Sequence, residues 1–243
     1  MIYNYITDSL NNERKLLALL IDPDKCNPNH LEKLVEILKS RPPHLILVGG
    51  SLICSPIEPI IEYLNSELKQ PIILYPGSPS HLTPNVDAVL FLSMISGRNP
   101  ELLIGDHVIA APYIKHHGIE PISTGYMLID GGSSTSVEYI SQTRPIPAEK
   151  TDIAVATAMA GEMLGMKMIY MDAGSGAKNP ISSKTIKAVK QTINIPLMIG
   201  GGIRSEQQLK NAYSSGADVV VVGNILEKDP LLLLNFLDIT DSY

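Results

Sequence analysis

Three late segments rich in glycine each follow an apolar run: "DAGSGA" at 172–177, "GGG" at 200–202 and "GN" at 223–224. Glycine lets backbone N–H groups approach and point at one anion, and the hydroxyl of Ser175 adds a further donor. A single glycine pair is more simply a tight turn between a strand and a helix. Three such turns in succession favour a phosphate-binding cradle.

Two oxygen-bearing side chains follow apolar runs near the start of the chain. "LIDPDK" places Asp22, Asp24 and Lys25 at the end of the first run, and "VGGS" places Ser51 at the end of the second. A carboxylate and a hydroxyl are hard oxygen ligands, and Mg²⁺ commonly takes one or two of these and completes its shell with phosphate oxygens and water. The alternative for "DPD" is a capped turn around Pro23.

The elements that position these residues alternate between short apolar runs and amphipathic patterns. The runs lack a period of two, as expected of parallel strands buried on both faces. The eight predicted strands are 16–22, 45–50, 72–75, 88–94, 122–129, 168–171, 197–199 and 219–222. Eight strands that alternate with helices predict a (β/α)8 TIM barrel of the α/β class, with a doubly wound open sheet as the alternative. In a barrel, the polar segments meet at the carboxyl ends of the strands.

Capping patterns predict where helices begin between several of these runs. In "SPIEPIIEYL", Ser55 is the predicted N-cap, with Pro56 at the first helical position and Glu58 completing a capping box. In "SEQQLKNAYSSGA", Ser205 and Gln208 repeat that pattern. Both segments are therefore predicted to be crossover helices.

Two connections are irregular. Between 75 and 88 stands only "PGSPSHLTPNVD", whose prolines leave no room for a crossover helix, so the helix after the third strand is predicted to be missing. The segment 130–150 is long and begins with a flexible glycine and serine stretch. It is either a mobile lid over the site or an ordinary surface loop.

Composition restricts the class of protein. The chain has 243 residues, 44% of them hydrophobic, and no linker, which favours one domain over 1–243. A net charge of −6 without a basic run argues against nucleic-acid binding. The N-terminus has no basic leader and the apolar runs are far shorter than the ~20 residues of a membrane span, so we expect a soluble, cytoplasmic protein.

The remaining reactive side chains give weaker signals. Cys26 and Cys54 fit two inert thiols better than a disulfide framework or a metal knuckle. The six histidines are scattered and none follows a predicted strand, so we expect them at the surface or behind the site. No nucleophile elbow occurs, which argues against covalent catalysis.

Six motifs in order, "LIDPDK", "VGGS", "STGYMLIDGG", "YMDAGSGA", "IGGGIRS" and "VVGN", give the chain a family resemblance over about 16–228. The chain resembles the geranylgeranylglyceryl phosphate synthase family, and within it the branch with a long loop after strand five. The resemblance implies a modified barrel without its third helix. It also implies a prenyltransferase in which the 3-hydroxyl of sn-glycerol 1-phosphate attacks C1 of geranylgeranyl diphosphate and expels diphosphate, with Mg²⁺ required.

The resemblance also implies which residues bind. Asp22 and Ser51 are expected to hold the metal. The residues expected to hold the glycerol phosphate are Tyr170, Met171, Asp172, Ala173, Gly174, Ser175, Gly176, Gly201, Gly202, Gly223 and Asn224. Two departures stand out: another branch of the family has a glutamate followed by "YSG" where this chain has "DAGSG", and a lysine where this chain has Leu20.

Given that reaction, two residues of strand six are candidates for catalysis. Asp172 would orient the acceptor hydroxyl and accept its proton. Tyr170, on the same side of the strand, would hydrogen bond the glycerol or stabilise positive charge with its ring, or else is a core residue of the barrel.

An apolar trench for the polyprenyl tail is expected in the gap left by the missing helix, lined by Leu90, Phe91, Leu92 and Met94; these residues also fit an ordinary core. The alternatives are another phosphate-binding barrel enzyme, such as a sugar-phosphate isomerase or a thiamine phosphate synthase, and a noncatalytic carrier of phosphate lipids. We also expect a homo-oligomer and transient membrane contact through the lipid product.

Overall fold

Eight parallel strands close into a barrel in which each strand pairs with its successor and the last pairs with the first. The computed structural model describes residues 1–243, apart from the side chains of residues 227 and 228. The strands are β1 Leu16–Ile21, β2 Leu45–Gly50, β3 Ile72–Pro76, β4 Ala88–Met94, β5 Glu120–Leu128, β6 Met168–Asp172, β7 Leu197–Gly200 and β8 Val219–Val222. The predicted TIM barrel is confirmed, and each predicted strand end lies within two residues of the observed one.

Helices surround the barrel, with one gap. They are α1 Ile2–Asn11, α2 Pro28–Ser40, α3 Glu58–Glu67, α4 Asp106–His117, α5 Ser136–Ser141, α6 Thr151–Met163, α7 Ser183–Lys190, α8 Glu206–Ser214, α9 Asn224–Lys228 and α10 Leu232–Thr240. A π-helical turn, Glu101–Gly105, leads directly into α4. Between β3 and β4 the chain makes only a 3₁₀ turn, Pro79–His81, so the predicted loss of that crossover helix is confirmed.

Alternate strand residues fill two separate layers. In β1, Leu17 and Leu19 pack in the shell between strands and helices, whereas Leu16 and Ala18 pack inside the barrel. This alternation follows from the period of two along a strand. Burying such a side chain contributes about 1.5–3 kcal/mol, and both faces of the sheet take part, which accounts for the continuous apolar runs. The strand ends are thereby held rigidly at one rim.

The start of α3 differs from the prediction. Ser55 is not its N-cap: the helix begins at Glu58, and the N-cap position belongs to Ile57. The N–H groups of Cys54 and Ser55 instead donate to the Asp24 carboxylate, each at 2.8 Å. This tertiary contact holds the chain in a loop where the local sequence favoured a helix. At α8 the prediction is confirmed, since Ser205 Oγ accepts the N–H of Gln208 at 3.3 Å.

The segment 130–150 has more structure than its glycine and serine content suggested. It contains α5, whose N-cap Thr135 accepts the N–H of Glu138. Ile146 forms a parallel bridge with Ile129, which extends the rim of the barrel beyond β5. The segment therefore packs on the carboxyl-end face rather than extending away from it.

Candidate active site

A polar pocket lies at the carboxyl ends of the strands and brings most of the predicted site residues together. The predicted residues that line it are Asp22, Ser51, Tyr170, Asp172, Gly174, Ser175, Gly176, Gly201, Gly202, Gly223 and Asn224. The side chains of Met171 and Ala173 lie elsewhere, in the core between strands and helices. That is the other face of β6, so these two residues can reach a ligand only through their backbone.

The glycine segments form one continuous wall of this pocket. Gly201 and Gly202 have φ of +78° and +74°, in the left-handed region that favours glycine. A Cβ at Gly201 would stand 2.6 Å from Asp172 Oδ1 and 2.7 Å from the nitrogen of Gly174. The loop after β7 therefore packs directly against the loop after β6, and a side chain at Gly201 would separate them.

Asp172 lies at the floor of the pocket with 6% of its surface exposed. Its Oδ2 accepts a hydrogen bond from the hydroxyl of Tyr126 at 2.7 Å and a longer one from Tyr75 at 3.5 Å. Its Oδ1 accepts the N–H of Gly174 at 2.7 Å. Burial raises the pKa of this carboxyl, and the hydrogen bonds from Tyr126 and Gly174 oppose that rise. The carboxyl is thus held in one orientation and made more basic than an exposed aspartate.

Three tyrosines surround that carboxyl in the barrel interior. The ring of Tyr170 packs edge-on against Tyr126 at 5.3 Å and tilted against Tyr75 at 5.8 Å. Burial, followed by the nearby Asp172 charge, raises the pKa of all three phenols. They therefore stay protonated at neutral pH and act as hydrogen-bond donors. Tyr170 is both a core residue, 1% exposed, and part of the pocket floor.

Asp22 and Ser51 stand at the edge of the pocket on adjacent strand ends. The Asp22 carboxylate binds the ammonium of Lys25 at 2.7 Å. The Asp24 carboxylate accepts the N–H groups of Cys54 and Ser55 in the loop after β2. The hydrogen bond from the N–H of Cys54 is the main cause that holds the pKa of Asp24 low. Among the described residues no three His, Cys, Asp or Glu side chains cluster as a complete metal cage. One carboxylate and one hydroxyl beside open space fit a cation that takes its other ligands from a phosphate-bearing substrate and water.

Two cationic residues of the pocket were not among the predicted site residues. Lys25 directs its ammonium into the pocket, and Arg204 donates to the carbonyl oxygens of Gly176 and Ala177 at 3.3 and 2.5 Å. Lys25 is the last residue of the motif "LIDPDK", and Arg204 lies within the motif "IGGGIRS". Their position in these motifs could have pointed to the site. How far a long side chain reaches cannot be predicted from the spacing of residues in the sequence.

An apolar groove opens beside the polar pocket where the helix after β3 is missing. Leu90, Phe91, Leu92 and Met94 line it as predicted, together with residues of α4 and α5. Gly50, Ser51 and Tyr75 line both the groove and the polar pocket. The two spaces are therefore contiguous.

One histidine contradicts the expectation that histidines lie outside the site. His107 lines the groove, 9% exposed, with its Nε2 2.9 Å from Ser93 Oγ and its ring edge-on to Phe91. Burial lowers the pKa of this imidazole. His107 could not be predicted from strand-end motifs, because it lies inside a helix.

In the part of the chain that the structure describes, no helix has the length and apolar character needed to cross a bilayer. The fold and the site define a class: a (β/α)8-barrel protein whose glycine-lined polar pocket, of the type that binds phosphates, opens onto an apolar groove. The chain belongs to the PcrB family, whose model matches residues 9–238. This match, together with the relatives described next, confirms the resemblance to the geranylgeranylglyceryl phosphate synthase family.

Known proteins are similar over nearly the whole chain. A geranylgeranylglyceryl phosphate synthase of Chitinophaga pinensis is 48% identical over 238 residues, covering 98% of this chain and 94% of that protein. A synthase of the same name from Spirosoma linguale is 47% identical, covering 90% of this chain and 89% of its own. The crystal structure of (S)-3-O-geranylgeranylglyceryl phosphate synthase from Thermoplasma acidophilum, in complex with sn-glycerol 1-phosphate, superposes with a TM-score of 0.92 at 26% identity, covering 100% and 99%.

Proposed function

We propose that this protein is a geranylgeranylglyceryl phosphate synthase, which joins sn-glycerol 1-phosphate to the geranylgeranyl group of geranylgeranyl diphosphate and releases diphosphate. The observation that carries the proposal is the contiguity of a polar, glycine-lined pocket with an apolar groove across Gly50, Ser51 and Tyr75. A reaction between a small phosphate ester and a long prenyl chain needs these two environments side by side. The names of the relatives agree with it.

The acceptor is assigned to the polar pocket. The loops after β6, β7 and β8 would hold its phosphate through backbone N–H groups and through Ser175 and Asn224, whose side chains hydrogen bond each other at 2.9 Å. Held this way at the pocket wall, glycerol would extend over the floor formed by Asp172 and Tyr170. Fixing the acceptor in this orientation lowers the entropic part of the barrier.

Asp172 is the proposed proton acceptor. As the bond between the 3-hydroxyl oxygen and C1 forms, the bond from C1 to diphosphate breaks, its electron pair leaves with diphosphate, and the hydroxyl proton passes to Asp172. A raised pKa suits this role, since a general base works best when its pKa approaches the operating pH. Tyr126 keeps the carboxyl in place, and Tyr170 would hydrogen bond the glycerol.

Asp22 and Ser51 are the proposed protein ligands of Mg²⁺. The ion would supply charge neutralisation on the departing diphosphate. The donor set supports this, because both side chains are hard oxygen donors that line the polar pocket, and Ser51 also lines the groove. In the structure the Asp22 carboxylate binds the ammonium of Lys25 through Oδ2 and accepts the N–H of Asp24 at Oδ1, 3.1 Å away.

The groove is the proposed site of the prenyl tail. A sugar-phosphate isomerase or a thiamine phosphate synthase has no use for an apolar channel of this kind, so the groove disfavours those alternatives. Bulky replacements such as Leu90→Trp are expected to shift the preferred prenyl chain length toward shorter donors. An unchanged preference would contradict this use of the groove.

We also propose the partners and the location that the sequence predicts. A homo-oligomer, transient contact with membranes that receive the product, and a cytoplasmic location all fit an enzyme of this type. Exposed apolar residues on and beside α4, Ile104, Val108 and Ile109, provide surface for either contact. Light scattering of the purified protein, with and without lipid vesicles, tests both.

The decisive experiment incubates the purified protein with Mg²⁺, radiolabelled sn-glycerol 1-phosphate and prenyl diphosphates of several lengths, and measures label in the organic extract. We expect product with geranylgeranyl diphosphate. If no donor yields product while glycerol phosphate still binds, the synthase proposal fails. Asp172→Asn separates enzyme from carrier: a catalyst loses turnover and keeps binding, whereas a noncatalytic carrier shows no turnover in either form.

A further inference from the structure

Cations are scarce in a pocket proposed to receive two anions. Among the described residues that line it, the cationic side chains are Lys25 and Arg204, beside the carboxylates of Asp22, Asp24 and Asp172. Arg204 is engaged with two backbone carbonyl oxygens of the loop after β6. The ammonium of Lys25 is therefore the group best placed to meet a phosphate.

The position of that ammonium is unusual, because it lies between the two sides of the pocket. Lys25 Nζ is 2.7 Å from Asp22 Oδ2 at the end of β1. It is also 3.4 Å from Ser175 Oγ, after β6, and 3.4 Å from Asn224 Oδ1, after β8. One side is the proposed cation site, and the other is the proposed phosphate cradle.

These contacts differ in strength. The contact to Asp22 is a short, charge-assisted hydrogen bond, and those to Ser175 and Asn224 are at the long end of the range. Ser175 and Asn224 also bond each other at 2.9 Å, so their arrangement does not depend on Lys25. An ammonium with three donors can therefore turn from Asp22 toward an anion in the cradle without dismantling it.

We propose that Lys25 binds the phosphate of sn-glycerol 1-phosphate and couples the two sides of the pocket; this inference rests on the proposed function. A divalent cation held with diphosphate at Asp22 would compete with Lys25 for the carboxylate that now neutralises its ammonium. The ammonium then turns to the Ser175 and Asn224 side, where it meets the phosphate dianion. Occupancy of one side thereby raises affinity on the other, and linkage makes the effect reciprocal.

The first test is isothermal titration calorimetry with sn-glycerol 1-phosphate alone. Lys25→Met is expected to weaken binding by about 10- to 100-fold, the range for losing one charge-assisted hydrogen bond. Lys178→Met, which removes the same charge from an exposed position on the same loop as Ser175, is the matched control and is expected to bind as wild type does. Equal affinity of Lys25→Met and wild type overturns the proposal.

The second test measures the coupling. In the wild type, Mg²⁺ with inorganic pyrophosphate is expected to tighten sn-glycerol 1-phosphate binding about 5-fold or more, the lower end of ordinary coupling. In Lys25→Met this gain is expected to disappear. A gain of the same size in both proteins overturns the coupling.

Folding and function are checked separately. Lys25→Arg keeps the charge, so it is expected to retain part of the phosphate affinity and an unchanged thermal midpoint. Failure of the synthase proposal would appear as absence of prenylated product from the wild type. The calorimetric comparison of Lys25→Met with wild type decides the role of Lys25 whether or not product forms.

Discussion

Two buried carboxylates lie at opposite ends of the barrel and have different surroundings. Asp218, 2% exposed, directly precedes β8 and is bound by the ammonium groups of Lys15 at 3.2 Å and Lys190 at 2.6 Å. Asp172, 6% exposed, ends β6 and is bound by Tyr126 and the N–H of Gly174. Among the described residues, no cation lies within ion-pair distance of Asp172.

The difference distinguishes a carboxylate that stabilises the fold from the carboxylate that is proposed to accept a proton. At the amino-end rim, two lysines compensate the buried charge, and Asp218 also accepts the N–H of Leu197 at 2.9 Å, which ties two strands together. At the carboxyl-end rim, neutral donors leave the buried charge only partly compensated. Burial without a cation costs stability but leaves the carboxyl able to take a proton.

The largest expected effect is on catalysis at Asp172. Asp172→Asn removes the proposed proton acceptor while keeping the shape of the side chain, so kcat is expected to fall about 10²- to 10⁴-fold. Affinity for sn-glycerol 1-phosphate is expected to change little. Steady-state kinetics and calorimetry on the same preparation measure the two quantities.

Asp218→Asn is the corresponding change at the other rim and serves as the control. Its folded fraction is expected to retain wild-type kcat. If Asp172→Asn kept kcat within a few fold of the wild type, the proposed base would be wrong, and orientation of the hydroxyl would have to come from other groups.

The next effect is on stability at Asp218. Asp218→Asn leaves Lys15 and Lys190 facing each other without a counter-charge, and removing one partner of a buried ion pair costs about 3–5 kcal/mol. We expect the lower end, since both lysine side chains keep partial access to water. Thermal unfolding should shift down by roughly 10 °C.

An exposed ion pair provides the comparison. Asp238, bound to Arg41 at the surface, is 67% exposed, and Asp238→Asn is expected to cost less than about 1 kcal/mol. Equal losses for Asp218→Asn and Asp238→Asn would show that the buried cluster has no special structural importance.

A smaller effect is expected from the tyrosines that hold Asp172. Tyr126→Phe removes the 2.7 Å hydrogen bond to Asp172 Oδ2. In the wild type this hydrogen bond opposes the rise of the carboxyl pKa. Without it the pKa rises further, so the acid limb of the kcat profile should move to higher pH and kcat should fall about tenfold. Tyr75→Phe, whose contact is 3.5 Å, is the matched control with a weaker effect. Identical profiles for the two variants would contradict this ranking.

The sequence predicted the barrel, the missing helix and the position of Asp172 at a strand end because these depend on local patterns: apolar runs, prolines and glycine-rich strand ends. It did not reveal Tyr126, which lies within the apolar run of β5, or the Asp218 cluster, whose lysines come from positions 15 and 190. The wrong N-cap at Ser55 has the same cause. Contacts between segments distant in the chain decide these features, and local spacing does not encode them.

The smallest expected effect is a gain in stability for Asp172→Asn, opposite in sign to the loss expected for Asp218→Asn. The pKa of Asp172 is raised in the folded protein, so the native state keeps this proton at pH values where the unfolded chain, with an ordinary pKa of about 3.9, has lost it. Stability from this group is therefore present at acid pH and is lost as pH rises through the folded pKa. Asn does not titrate, so Asp172→Asn should be more stable than wild type by about 1 kcal/mol at pH 7.

The stability gain should shrink as the pH falls toward 4, because the wild-type carboxyl is then protonated in the folded state and about half protonated in the unfolded chain. Urea unfolding of wild type and Asp172→Asn at pH 4, 5.5 and 7 measures the difference, and other titrating groups cancel in it. A variant that is less stable at every pH would mean that the ionised carboxylate, through Tyr126 and Gly174, stabilises the fold. Asp172 would then resemble Asp218, and its distinction as the uncompensated carboxylate would be lost.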